Sequence, residues 1–145
     1  TARQIALANT ATAVKWRDTI GLNKIAIGLN TSLDPTRILV VKSGTYLVQY
    51  GLQVTNPQVA NDEISVWIRR NGAAFPNSLR QTLTGPTGTK NILSGHGLIP
   101  LGKEDYIELF FSVRNIQTQL IKTNNLSNPS RPATPSAQIS IIRIQ

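Results

Sequence analysis

Hydrophobic and polar positions alternate with a period of two along most of the chain, most clearly over Tyr106–Val113. There Ile107, Leu109, Phe111 and Val113 fall on one side, and Tyr106, Glu108, Phe110 and Ser112 on the other. Such alternation marks a strand with one face in a core. The second side carries two aromatics as well, so this strand is expected to seek cover on both faces. In a chain of 145 residues that points to association with other copies.

The same period predicts strands at Gln4–Leu7, Ala11–Trp16, Lys24–Leu29, Arg37–Val41, Thr45–Thr55, Glu63–Arg70, Leu79–Leu83, Asn91–Pro100, Tyr106–Val113, Gln119–Lys122 and Gln138–Ile144. Helix signals are almost absent. About ten short strands with a turn every 8–12 residues is the pattern of a sandwich or barrel. Lys42-Ser-Gly44, Asn71-Gly72, Asn77-Ser78, Gly85-Pro86 and Gly102-Lys103 break the chain where the patterning stops. In Thr45–Thr55, Tyr46, Val48, Tyr50, Leu52 and Val54 are expected in the core. The opposite face (Leu47, Gln49, Gly51, Gln53, Thr55) is uncharged and suits water or a polar subunit contact. In Glu63–Arg70 the core side is Ile64, Val66 and Ile68. Trp67, on the other side, either touches a neighbouring loop or a partner, or is shielded by its own loops.

Asn124–Pro135, with three prolines and three asparagines, reads as an extended connector without regular structure. Gln138–Ile144 is apolar on both faces and is expected in the middle of a sheet. No internal repeat or second domain is evident, so residues 1–145 read as one domain.

Composition narrows the function classes. Hydrophobic residues make up 40% and charged residues 15%, below the usual quarter or so, and uncharged polar residues fill the gap. No apolar run approaches the roughly 18 residues needed to span a bilayer, so no membrane partner is expected. The first residues, Thr-Ala-Arg-Gln-Ile-Ala-Leu, carry no hydrophobic signal core. With no cysteine, disulfides and cysteine-based metal sites or nucleophiles are excluded. The net charge is +8, but the fifteen basic residues are spread almost evenly, with no basic arm or run of four. Nucleic-acid binders usually show a clustered footprint, so nucleic acid is not expected as a partner.

Several stretches invite chemistry and are better read without it. Gly85-Pro-Thr-Gly-Thr-Lys90 looks like a phosphate loop but lacks the Gly before the Lys and the Ser or Thr after it, and strands flank it; a turn is expected. His96 is the single histidine, set in Ser94-Gly-His-Gly97 with no nucleophile elbow, and reads as a loop or core residue. Asp62-Glu63 and Glu104-Asp105 each precede a strand; clustered carboxylates can hold calcium, but acidic residues in exposed turns are commoner. Asn30-Thr-Ser32 and Asn125-Leu-Ser127 match the glycosylation sequon at roughly the rate expected by composition. No catalytic, cofactor or metal residue is therefore expected.

The order of three motifs, Gly44-Thr-Tyr-Leu-Val-Gln-Tyr50, Ile64-Ser-Val-Trp-Ile-Arg-Arg-Asn-Gly72 and Asp105-Tyr-Ile-Glu-Leu-Phe-Phe111, resembles the tumour-necrosis-factor/C1q-like jelly roll. Tyr106-Ile-Glu-Leu109 and Arg131-Pro-Ala-Thr-Pro-Ser136 are similar to the C-terminal portion of small phage virion proteins of that type. The likeness runs over roughly residues 10–145. It implies an all-β jelly-roll sandwich of two antiparallel sheets, a tight homotrimer about a threefold axis, and no catalytic residues. The sequence departs from the family at Gly102-Lys-Glu-Asp105, where two extra residues replace the usual Gly-Asp turn, which puts any calcium site of C1q-like relatives in question.

The function expected on these grounds is that of a phage virion structural protein, a trimeric decoration, cement or spike protein that binds the major capsid protein and stabilises the shell. Tyr106, Phe110, Ile142 and Ile144 are the expected trimer contacts, and Arg17, Arg37, Arg80 and Arg131 the expected docking residues on an acidic shell. The chain starts almost at once with strand-like sequence and has no fibre shaft or collagen repeat. The alternative is the receptor-binding tip of a tail fibre, recognising host glycan or protein. A secreted C1q-like recognition module is a third reading, and an enzyme is the least expected class.

Overall fold

The computed structural model describes residues 3–17 and 25–145. Lys24, the first residue of one predicted strand, lies outside the described residues. The chain forms β1 (Arg3–Ile5), β2 (Thr12–Ala13), β3 (Ile25–Gly28), β4 (Arg37–Val40), β5 (Gly44–Thr55), β6 (Asp62–Arg70), β7 (Ala73–Ala74), β8 (Arg80–Thr84), β9 (Lys90–Leu101), β10 (Tyr106–Val113), β11 (Gln119–Ile121) and β12 (Ala137–Arg143), with no helix among the described residues. Every paired strand is antiparallel, and the strands make two sheets with a shared core, a β-sandwich.

Each sheet is built around one strand. In the β5 sheet, β9 pairs with β5 along its whole length on one flank. On the other flank β12 covers Tyr46–Leu52 and β11 covers Val54–Thr55 in the same direction, with β1 outside β11. In the β10 sheet, β6 pairs with residues 107–113, while β4 and β2 share the opposite flank; β3 lies outside β4, and β7 and β8 lie outside β6. The chain crosses between sheets from β1 to β2, β4 to β5, β5 to β6, β8 to β9, β9 to β10 and β10 to β11.

The core follows the alternation. Ile107, Leu109, Phe111 and Val113 of β10 and Ile64, Val66 and Ile68 of β6 face Tyr46, Val48, Tyr50, Leu52 and Val54 of β5, all buried. Each such aliphatic or aromatic side chain contributes about 1.5–3 kcal/mol on burial. Val14 and Trp16 join them beyond the end of β2, and the buried Trp16 indole N–H donates to the Thr36 carbonyl at 3.2 Å.

Turn chemistry fixes the ends. Asn71 (φ 49°) and Gly72 (φ 85°) are both left-handed, the conformation a tight hairpin demands, and they join β6 to the two-residue β7 that the alternation did not reveal. The buried Asp62 carboxylate accepts from the Glu63, Asn115 and Thr118 backbone N–H groups, tying the start of β6 to the turn after β10. Asp105 accepts from the Gly102 N–H at 2.7 Å and Asn71 Nδ2 at 2.9 Å, which closes the turn before β10. Gly85–Thr89 is the expected turn between strands, β8 and β9, closed by the Thr89 N–H on the Pro86 carbonyl at 3.0 Å.

Three expectations are corrected. Asn124–Pro135 is not an unstructured connector: Thr123 and Thr134, flanking most of it, exchange two backbone hydrogen bonds of 2.9 Å, and Leu126 and Arg131 within it exchange two of 2.9 and 2.8 Å, which makes a narrow hairpin-like arm over residues 122–136. Pro129, Pro132 and Pro135 lack an N–H, and they fall where none is needed; the Asn125 side chain takes the Ala133 N–H instead. The arm interrupts what would otherwise be one continuous strand through β11 and β12. Next, β12 is not in the middle of its sheet. It pairs with β5 alone, and its second apolar side faces outward. Third, His96 is neither loop nor core: it stands exposed in β9, opposite Gln49.

Candidate interaction faces

The outer face of the β5 sheet is set by register. Because directly opposed residues share a face, Leu47 is flanked by Leu98 of β9 and Ile142 of β12. One step toward the start of β5, Thr45 lies opposite Pro100, and Ile144 donates to the Thr45 carbonyl at 2.9 Å. Leu98 is 57% exposed and Ile142 and Ile144 are each 54% exposed. The other direction is polar: Gln49 lies between His96 and Ser140, and Gly51 between Ser94 and Gln138. Across β9, β5 and β12 the residues of this outer face carry one formal charge, Lys90 at the margin, with exposed Ile92 nearby. An uncharged, partly aliphatic sheet face of this kind is what an interaction surface requires.

The outer face of the β10 sheet is built differently. Trp67 lies opposite Phe110, their ring centroids 6.1 Å apart and tilted by 33°. The Arg69 guanidinium lies 4.5 Å above the Phe110 ring, and that of Arg37 lies 4.3 Å above the Tyr106 ring. Between them Glu108, read from sequence as part of the outward side, is only 6% exposed and accepts a 2.6 Å hydrogen bond from the Thr36 hydroxyl. Tyr106, Phe110 and Trp67 are thereby half-buried within one subunit. The second aromatic side of β10, expected to need another copy, is largely covered by the arginines and Trp67 of its own sheet. Trp67 has a cross-strand partner in Phe110, a contact that neither of its two alternatives named.

The four expected trimer contacts therefore divide between opposite faces: Ile142 and Ile144 belong to the β5 sheet, Tyr106 and Phe110 to the β10 sheet. The four arginines expected to dock do not gather either. Arg17 is exposed beyond Trp16, Arg37 stacks on Tyr106 in β4, Arg80 lies half-buried in β8, and Arg131 sits in the arm. Leu47 was read only as part of a face suited to water or a polar subunit contact, and Leu98 was not singled out. Each lies on the polar-looking parity of its strand, and only register sets them beside Ile142.

At the open side of the sandwich, between the edges of β8 and β9, Tyr50 is 5% exposed and its hydroxyl has no hydrogen-bond partner among the described residues. An unmet hydroxyl costs about 1–3 kcal/mol. Burial pushes the Tyr50 phenol up from its ordinary range, against the opposing pull of the Arg80 guanidinium, so the group stays neutral. A Cβ on Gly95 would overlap this hydroxyl, so the ring depends on a glycine across the strand pair. Among the described residues no group of three or more His, Asp or Glu side chains is placed to hold a metal ion. Compared with known proteins, the chain matches no family model and no curated sequence.

Proposed function

We propose that this chain is a virion structural protein of a phage, and that three copies of its sandwich associate through the outer face of the β5 sheet to form a capsid decoration or cement trimer. The observation that carries the association is the apolar end of that face, where Leu47, Leu98, Ile142, Ile144 and Pro100 meet with no charge among them. Covering such surface is worth about 25 cal/mol per Å², so a few hundred Å² shared by each subunit is a substantial drive. The repeated crossing of consecutive strands between the two sheets supports the jelly-roll reading, because a jelly roll wraps its strands in that alternating way.

The role on the particle follows from the motif order and from the charge. A net charge of +8 favours an acidic protein surface as partner, and binding only the assembled shell would stabilise it by mass action. The test strips the protein from purified particles and restores it while their melting is followed. Restored particles are expected to melt higher, and raised salt is expected to weaken the gain. Particles that melt identically with and without the protein, but adsorb to cells only with it, would replace the cement role by the fibre-tip alternative.

A further inference from the structure

β8 and β9 leave the Gly85–Thr89 turn together but belong to different sheets, and the gap between them holds two adjoining cavities. The larger, of about 450 Å³, is lined by Gln49, Tyr50, Arg80, Ser94, Gly95 and His96. The smaller, of about 190 Å³, shares Tyr50 and His96 and is otherwise walled in part by Phe75, Pro76, Ile68 and Ile99. Together they have the size and the mixed lining of a small-molecule site.

Most polar side-chain atoms of this cleft are uncommitted. Arg80 Nη1 donates to the Asn77 and Leu79 carbonyls at 3.3 and 2.9 Å, which tethers the side chain; its other two nitrogens have no partner among the described residues. Among the described residues no carboxylate lines either cavity, so the single cation has no acidic neighbour in their lining. The side chains of Gln49, Ser94 and His96 make no hydrogen bond within the described protein, and the buried Tyr50 hydroxyl is unpartnered.

We propose that this cleft binds a carboxylated sugar, its carboxylate on Arg80, its hydroxyls among Gln49, Ser94, His96 and Tyr50, and an acetamido group toward Phe75 and Pro76. One guanidinium matches one negative charge. Amide, hydroxyl and imidazole groups both donate and accept, as the several hydroxyls of a sugar do, whereas a phosphate is mainly an acceptor and offers few donors to match them. The apolar annex suits a methyl group and the C–H face of a ring. Gln49, Ser94 and His96 belong to the polar end of the outer face whose apolar end carries the association proposed above, so the cleft is tested apart from it.

The full chain is titrated with N-acetylneuraminate, glucuronate, N-acetylglucosamine and inorganic phosphate, with binding read by calorimetry and by the histidine and tyrosine resonances in NMR. N-acetylneuraminate is expected to bind saturably and more tightly than glucuronate, with the neutral sugar and phosphate weaker than both. Arg80→Gln is expected to lower its affinity at least about tenfold, while Lys90→Gln, outside the cleft, leaves it unchanged. Thermal melts of both variants guard against a folding defect, and Tyr50→Phe, which keeps the packing, is expected to weaken binding with a native melt. Absence of binding at millimolar sugar, equal binding of phosphate and N-acetylneuraminate, or affinity indifferent to Arg80→Gln in a folded variant would each overturn the proposal. Repeating the titration on Leu98→Asp separates it from the association: retained binding there supports a cleft complete in one subunit, and binding lost with the native fold kept overturns that.

Discussion

The two outer faces of the sandwich are made of the same kind of strand, yet they meet solvent in opposite ways. On the β10 sheet the large side chains are aromatic, and arginines from adjacent strands lie over them: Arg37 on Tyr106, Arg69 on Phe110, with Trp67 against Phe110. A guanidinium stacked on a ring covers apolar surface while its charged edge stays hydrated, so this face is finished within one chain. On the β5 sheet the large outward side chains are aliphatic, and among the described residues no charged side chain stands at a register position beside Leu47, Leu98 or Ile142. An aliphatic group offers no quadrupole for a cation to sit on, and its only cover is another apolar surface. The contrast is the reason the proposed association is placed on the β5 sheet rather than on the β10 sheet.

The sharpest way to break this contrast is to charge each face in turn. Leu98→Asp or Ile142→Asp is expected to convert a species near three times 15.8 kDa into the single chain, read by light scattering at micromolar concentration. Arg69→Gln on the opposite face is expected to leave the mass unchanged. A monomeric starting protein, or dissociation by the Arg69 change alone, would remove the basis of the assignment.

A second comparison uses neighbouring residues of one strand. Phe111 is fully buried and Phe110 is half-buried under Arg69. Phe111→Ala is expected to cost about 3–5 kcal/mol in denaturant unfolding, the range for a large core deletion. Phe110→Ala is expected to cost about 1–2 kcal/mol, since part of its area and one cation–π contact are lost. Equal costs would mean that the outer aromatic is as essential as the core one, and the β10 face would need a different account.

The smallest effect lies in acid. The Asp105 carboxyl is held below its ordinary range, first by the Gly102 N–H and then by the Asn71 amide. A depressed carboxylate stabilises the fold above its unfolded pKa, and that contribution is lost as pH falls through the folded value. Asp105→Asn is therefore expected to lower neutral stability slightly, leave stability below the folded value nearly unchanged, and so flatten the acid limb of the stability curve. An unaltered acid limb would show that the Gly102–Asp105 turn owes nothing to the ionised carboxylate.

Strand identity was legible because it is local. Tyr106–Val113 has the bounds given by its alternation, and the core parity of Thr45–Thr55 and Glu63–Arg70 is the one observed. Alternation misled where one strand's pattern stood in for its neighbours. Ile142 and Ile144 looked like the second buried side of a central strand, but they lie on the outward side of β12, which pairs with β5 alone. Glu108 looked like an outward polar residue, yet Thr36, seventy-two residues away in sequence, meets its carboxylate within the protein. The arm of residues 122–136 was hidden because its pairs fall between prolines, where composition announces only irregular chain.

By itself the sequence determined the all-β class, most strand positions, the core parity of Thr45–Thr55, Glu63–Arg70 and Tyr106–Val113, and the lack of a clustered basic footprint. These depend on the two-residue repeat of an extended backbone and on the turn preferences of Gly, Asn and Pro. Only the tertiary structure decided which residues share a face. Register joined Leu47 to Leu98 and Ile142, sheet membership separated Ile142 from Phe110, and the divergence of β8 from β9 put Arg80 beside Tyr50. Pairing across dozens of residues is a contest among non-local contacts, which parity along one strand leaves open, and a slip of one residue would reverse every face.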